Sequence, residues 1–150
     1  MGKVYLETTT VSASKSIAEI QEILIRSRAT NINQTVADGC VTGLMFTLQT
    51  SDGELLFDLP ARSQPVYNYL RKQRSVRTYA KTGAMEADAA AAYRIVWRQL
   101  LYWIRAQFAL IQIGMVETQE VFFPYLVTKT GKRLFESFNS GGLKQITGAK

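Results

Sequence analysis

The feature that most constrains the fold is a long segment with helical periodicity, from Glu86 to Ile113. Glu86 and Asp88 stand at its amino end, where negative charge stabilises a helix, and Gly114 is a residue that commonly ends one. Apolar residues on one side of this segment form a single stripe: Tyr93, Val96, Trp97, Leu100, Trp103, Ile104, Phe108 and Ile111. The segment therefore predicts one long helix whose apolar stripe is wide enough to cover the face of a sheet.

The amino-terminal residues predict a strand followed by a helix. Val4 to Leu6 is a short apolar run typical of a strand. Ser16-Ile17-Ala18-Glu19 matches a capping box, which opens a helix that should end near Arg28. One face of this helix would carry Ile17, Ile20, Ile23, Leu24 and Ser27.

Three further strands are predicted from alternation and turn residues. Ile32, Gln34 and Val36 alternate up to an Asp38-Gly39 turn, and the next run ends at the turn Ser51-Asp52-Gly53. We expect each of the last two strands to carry its apolar residues on one face. These residues are Cys40, Leu44, Phe46 and Leu48 in the first of them, and Leu55, Phe57 and Leu59 in the second, which stops at Pro60. We interpret Cys40 as a small buried hydrophobe.

These elements predict an α+β fold in one domain over residues 1–150. The sheet would be small, four-stranded and mostly antiparallel, in the order β-α-β-β-β before the long helix, with helices packed on one face. Between the last strand and the long helix, residues 62–83 are predicted to form a basic, mobile connection. Pro65 can open a short helix through Leu70, but Gln73 to Gly83 has no sustained period.

Positive charge is concentrated in this connection. The chain has 18 Lys and Arg against 12 Asp and Glu, a formal net charge of +6. Six of the basic residues lie between Asp58 and Glu86 with no acid among them. A helical stripe of Arg94, Arg98, Tyr102 and Arg105, roughly opposite the apolar stripe, adds to this charge. The alternative interpretation is a solvated loop and a solvated helix face.

The residues present argue against an enzyme. Histidine is absent, which removes the usual general base and the commonest metal ligand. Asp52, Glu54 and Asp58 cluster around one hairpin, as the magnesium ligands of a nuclease do, but a polar turn and the solvent face of a strand are the simpler explanation. No phosphate-binding glycine loop occurs. We expect no catalytic residue, no metal and no cofactor.

A second aromatic stretch, Glu117 to Tyr125, has two interpretations. Its side chains Phe122, Phe123 and Tyr125 are most simply core residues beside the long helix. If they were exposed, they would form a protein-binding or self-association surface.

Two blocks of the chain, KSIAEIQEILIRSRAT and YRIVWRQLLYWIRAQFALIQIGMVETQEVFFPYLVTKTGKRLFE, resemble a family of small uncharacterised proteins of bacteriophages and prophages. The matching features are Trp97-Arg98, Gly114 to Thr118, Glu120 to Tyr125 and Gly131, whereas the apolar run from Phe108 to Gln112 replaces residues that are acidic in the family. The resemblance implies a phage-type setting. Small accessory proteins there handle single-stranded DNA in replication and recombination, or block host defence systems.

Charge and resemblance together lead us to expect a non-catalytic nucleic-acid-binding protein, with single-stranded DNA favoured and annealing as an elaboration. The candidate binding residues are Arg71, Lys72, Arg74, Arg77, Lys81, Tyr67, Tyr69, Tyr79, Arg94, Arg98 and Arg105. The alternative is a phage inhibitor or adaptor that binds a host defence protein. A single cysteine and an amino terminus without an apolar signal favour the cytoplasm and no membrane association, and the resemblance implies that this is the cytoplasm of a bacterial host. The nucleic-acid-binding expectation includes a possible homo-oligomer.

Overall fold

The computed structural model describes residues 3–74, 83–139 and 141–148. Its helices are α1 (Ala13–Arg26), α2 (Gln64–Gln73), α3 (Ala84–Gln112), α4 (Thr118–Phe122), α5 (Leu134–Phe138) and α6 (Gly142–Thr147), with a 3₁₀ turn at Phe123–Tyr125. Its strands are β1 (Thr30–Ala37), β2 (Cys40–Thr50) and β3 (Gly53–Pro60). The chain is therefore α+β, as predicted.

The chain forms two compact units. We call Met1–Ile23 with Ala61–Ala106 the helical unit, and Leu24–Pro60 with Gln107–Lys150 the sheet unit. The helical unit contains most of α1, all of α2 and the greater part of α3. The sheet unit contains the three strands and the short carboxy-terminal helices.

The sheet is antiparallel in the order β1-β2-β3, so β2 is central. Both hairpin turns lie where they were predicted. Asp38 and Gly39 both have positive φ, the geometry of a turn that matches strand twist. β2 and β3 pair without interruption from Gly43↔Pro60 to Thr50↔Gly53.

An aromatic cluster forms the core of the sheet unit. The ring of Phe122, which is fully buried, lies 5.7 Å from Phe46, 5.6 Å from Phe57 and 5.5 Å from Phe108, measured between ring centres. Leu44, Leu48 and Leu59 are buried on the same strands, as the alternation predicted. Phe122 thus confirms the core interpretation, whereas its neighbour Phe123 is exposed.

The long helix and the first helix are confirmed with small changes in their ends. Gly114 has φ +76°. Its N–H donates to the Ile111 carbonyl and the Met115 N–H donates to the Leu110 carbonyl, so α3 ends in a Schellman motif. α1 begins at Ala13 rather than at the predicted capping box. The Ser12 hydroxyl accepts a hydrogen bond from the Lys15 N–H there, and Ser16 is buried.

Two predictions of local structure are wrong. The strand predicted at Val4 to Leu6 is absent, and residues 5–8 form a turn instead. Leu6 has φ 64°, and the Glu7 N–H donates to the Val4 carbonyl. The sheet therefore has three strands in the described part of the chain. Cys40 is exposed rather than buried. It pairs with Ala37 at the tip of the first hairpin, beyond the aromatic core.

Part of the predicted connection is helical. α2 begins one residue before Pro65, whose fixed φ suits the first turn of a helix, and runs through Gln73. Residues 75–82 lie outside the described part of the chain.

Candidate functional site

All of the excess positive charge belongs to the helical unit. Eleven of the 18 basic residues and five of the 12 acidic ones fall within it, which leaves seven of each in the sheet unit. The sheet unit is therefore formally neutral. An anion-binding surface is therefore expected on α1, α2 or α3.

Two arginines bind one buried acid: Arg71, which lies in α2, and Arg74, which is the carboxy-terminal cap of that helix. Arg71 Nη1 lies 3.2 Å from Asp88 Oδ2 on α3, and Arg74 Nε donates to both carboxylate oxygens at 2.9 Å. A further hydrogen bond joins Arg74 Nη2 to Asp88 Oδ1. Asp88 is buried, whereas the Arg74 side chain is 35% exposed. We call these three residues the Asp88 clamp.

The clamp determines the charge state of its members. The hydrogen bonds from Arg74 hold the pKa of Asp88 below its usual range, against the opposing effect of desolvation, and Arg71 acts in the same direction. The same contact raises the pKa of Arg74. Asp88 is therefore a carboxylate near neutral pH, and the clamp as a whole carries one unit of positive charge.

Asp88 was interpreted from sequence as a charge at the helix amino end, and its role in the clamp was missed. The sequence did not indicate this role, because the predicted apolar stripe contains neither Ala92 nor Ile95. The structure buries both of these residues, which lie four and seven positions after Asp88 and so on the same side of the helix. A carboxylate there requires a cationic partner.

The arginine stripe of α3 also has an acidic partner. Arg98 Nη1 and Arg105 Nη2 each lie 3.3 Å from Glu19 Oε2 on α1. Their guanidinium carbons are 5.2 Å and 5.7 Å from the centre of the Tyr102 ring, within the range of cation–π attraction. We predicted that this arginine stripe would lie roughly opposite the apolar stripe of the helix. That prediction is wrong, because Glu19 of α1 lies against the arginine stripe.

Exposure further separates the arginines of this stripe. The Arg98 side chain is 15% exposed and that of Arg105 is 54% exposed. The Nε atom of Arg94 is buried and has no hydrogen-bond partner among the described residues. Of the three, Arg105 retains the most surface for an external anion.

The remaining candidate residues fall into two groups. Lys72 is exposed on α2, and Tyr67 and Tyr69 of the same helix are half-buried. Arg77, Tyr79 and Lys81 lie outside the described residues. Lys15 on α1 and Arg62 before α2 are exposed basic residues of the same unit that are not among the candidates predicted from sequence.

A groove of about 300 Å³ lies between the amino ends of α2 and α3. Its lining is Ser63, Gln64, Tyr67, Met85, Glu86 and Ala89. Tyr67 is the aromatic ring of this lining, and it lies one helical turn before Arg71 of the clamp. The groove therefore provides one aromatic surface beside the basic helix.

The sheet unit offers a different surface. Its exposed apolar side chains include Ile113, Met115, Phe123, Phe135, Leu143 and Ile146. In the turn between β2 and β3, the Asp52 carboxylate accepts a hydrogen bond from Gln119 of α4 at 2.8 Å. Within the described ranges, no group of three or more Cys, Asp or Glu residues is arranged to hold a metal ion.

No known family model matches the chain, and no curated protein or solved structure does so either. None of the described helices is both long enough and apolar enough to span a bilayer.

Proposed function

We propose that the protein binds nucleic acid through its helical unit, with single-stranded DNA as the favoured ligand. The observation that carries the proposal is the distribution of charge, since this unit holds the whole net charge while the sheet unit is neutral. The phage-type role in replication or recombination, with strand annealing as an elaboration, is part of the same proposal.

The clamp changes which residues we assign to phosphate binding. Arg71 and Arg74 hold α2 against α3, so their first role is to position the helix. Lys72, Arg62 and Lys15 are exposed and form no ion pair within the described residues. We assign phosphate binding to these three residues, to Arg105 and to the partly exposed Arg74. Arg77 and Lys81 follow α2 in the sequence and add to the positive charge of the unit.

Tyr67 is the candidate stacking residue. Stacking on an aromatic ring is tolerant of base identity and contributes about 1–3 kcal/mol per base. The groove that Tyr67 lines favours an unpaired base over a duplex, because the bases of a duplex are stacked on one another. This is the reason for favouring single strands.

The test is fluorescence anisotropy of a labelled single-stranded oligonucleotide at several salt concentrations. We would compare Arg62→Ala/Lys72→Ala with Lys129→Ala/Lys132→Ala, which removes the same charge from exposed positions of the sheet unit. The first variant should lower the log-log salt slope by about 1.4, the value for two lost phosphate contacts on a single strand, and the second should leave it unchanged. Circular dichroism would confirm that both variants fold.

Two outcomes would refute the assignment. If the folded wild type fails to bind, nucleic-acid binding is wrong. If both variants lose affinity equally, binding depends on overall charge and not on the helical unit.

A second function is favoured by a separate observation, the exposed apolar residues of the sheet unit. Of the three aromatic residues that would form a protein-binding surface, Phe123 is 52% exposed, whereas Phe122 is buried and Tyr125 is half-buried. The protein would then be an inhibitor or adaptor that binds a host protein. Binding anchored by aromatic residues should depend less on salt than phosphate binding does.

A further inference from the structure

The two edges of the sheet differ. The outer edge of β3 has backbone partners, because Leu126 forms a bridge with Phe57 and the Val127 N–H donates to the Leu56 carbonyl at 2.9 Å. β1 forms the other edge and pairs only with β2 in the described part of the chain. Its outward N–H and C=O groups are therefore available to another strand.

β1 is also exposed on both of its faces. Seven of its eight residues are exposed, and the other, Ile32, is half-buried. Val36 is 60% exposed, although it belongs to the apolar alternation of the strand. Nothing in the described residues shields this strand from an approaching partner.

The side chains of β1 lack the usual protection of an edge. Natural edge strands carry charged side chains, proline or β-bulges, which discourage pairing with another chain, and of these β1 has only its two irregular positions. The sequence of β1, TNINQTVA, contains neither a charged residue nor a proline. Two register shifts interrupt its ladder with β2 and leave a regular stretch at Asn33, Gln34 and Thr35 between them.

We propose that β1 pairs antiparallel with β1 of a second copy of this chain, which joins two sheets into one of six strands. A two-fold axis places one residue directly opposite itself, so a charged residue at that position would repel its own copy. Gln34, at the centre of the regular stretch, can both donate and accept a hydrogen bond across the axis. The neutral sheet unit adds no net repulsion between the copies.

This pairing is independent of nucleic-acid binding, because it uses a different unit of the chain. The partner is a second copy rather than an unrelated peptide because an uncharged strand is complementary to itself, whereas recognition of a charged peptide would call for opposite charge along the edge.

The test is the molecular mass in sedimentation equilibrium over micromolar to submillimolar protein. The wild type should approach the mass of a dimer with increasing concentration, and Gln34→Lys should remain a monomer. Gln49→Lys is the matched control, since Gln49 is an exposed glutamine at the end of the central strand. It should dimerise as the wild type does. An equimolar mixture of Gln34→Lys and Gln34→Glu should dimerise again, because opposite charges then meet on the axis.

A second measurement does not depend on the folding of a variant. A spin label on the single cysteine, Cys40, reports the distance between two copies. With Gln34 on the axis, strand rise and strand spacing separate the two Cys40 positions by on the order of 25 Å. A wild type that is monomeric at all concentrations, a dimer that Gln34→Lys leaves intact, or a label distance far from this value would each overturn the proposal.

Discussion

The buried carboxylate of Asp88 on α3 lies 3.2 Å from the guanidinium of Arg71 on α2. The helix with the densest positive charge is therefore held in place by an acid of the same unit. Arg71 was selected from sequence as a phosphate ligand, and the structure gives it a partner within the chain. The charge available to an external anion is what remains after this pairing.

Replacing Asp88 should destabilise the protein strongly. Asp88→Asn keeps the size of the side chain but leaves Arg71 and Arg74 without a counter-charge. Breaking a buried ion pair by removing one partner costs about 3–5 kcal/mol, and because solvent reaches part of Arg74 we expect the lower end of that range. Urea denaturation measures the loss. Glu86→Gln, an exposed acid on the same helix, should stay within about 0.5 kcal/mol of the wild type.

The stabilisation from Asp88 should depend on pH in a defined direction. Its pKa is lowered in the folded state, so the unfolded chain takes up a proton first as the pH falls. The contribution is complete above about pH 5 and decreases below about pH 4, as the pH approaches the folded-state pKa. The difference in unfolding free energy between the wild type and Asp88→Asn should shrink in this range. A constant difference down to pH 3 would contradict the assignment.

The two arginines that share Glu19 should differ in their effect on stability. Arg98→Gln removes a largely buried hydrogen bond and should cost about 1–2 kcal/mol. Arg105→Gln removes an exposed pair at the same distance and should cost less than about 0.5 kcal/mol. A double-mutant cycle of each variant with Glu19→Gln measures the pairwise energies. Equal coupling for both arginines would show that exposure does not decide their strength.

Adjacent phenylalanines provide a test of the sheet-unit core. Phe122→Ala removes a buried ring that contacts three others and should lower the unfolding free energy by about 3–5 kcal/mol. Phe123→Ala should change it by no more than about 0.5 kcal/mol, since this ring is exposed. Thermal or chemical denaturation distinguishes the two. A large loss for Phe123→Ala would mean that its ring is a core residue and not a contact surface.

If the helical unit binds single strands, Tyr67 should contribute through its ring and not through its hydroxyl. Tyr67→Ala should weaken oligonucleotide binding by about 5- to 150-fold, the loss of one stacked base, and Tyr67→Phe should retain most of the affinity. Phe123→Ala, an exposed aromatic residue of the sheet unit, serves as the control. Anisotropy titrations at fixed salt give the affinities. Equal binding by Tyr67→Ala and the wild type would remove Tyr67 from the site.

Several parts of the fold could be predicted because their signals are local. α3 follows from uninterrupted periodicity and from Gly114, and both hairpins follow from their turn residues. The prediction of a strand at Val4 to Leu6 was wrong because three apolar residues do not specify a strand unless a neighbouring strand is available to pair with them. The exposure of Cys40 depends on where the aromatic core ends, which alternation along β2 does not indicate.

The amino-acid sequence by itself determined the α+β class, the long helix, three of the four predicted strands and the net charge, since each depends on residues close together in the chain or on composition. Only the tertiary structure decided how much of that charge is paired. Glu19 and Arg98 are 79 positions apart in sequence, and Arg71 and Asp88 are 17 apart. Contacts between residues so distant in the chain depend on how helices pack, and no local pattern encodes that geometry.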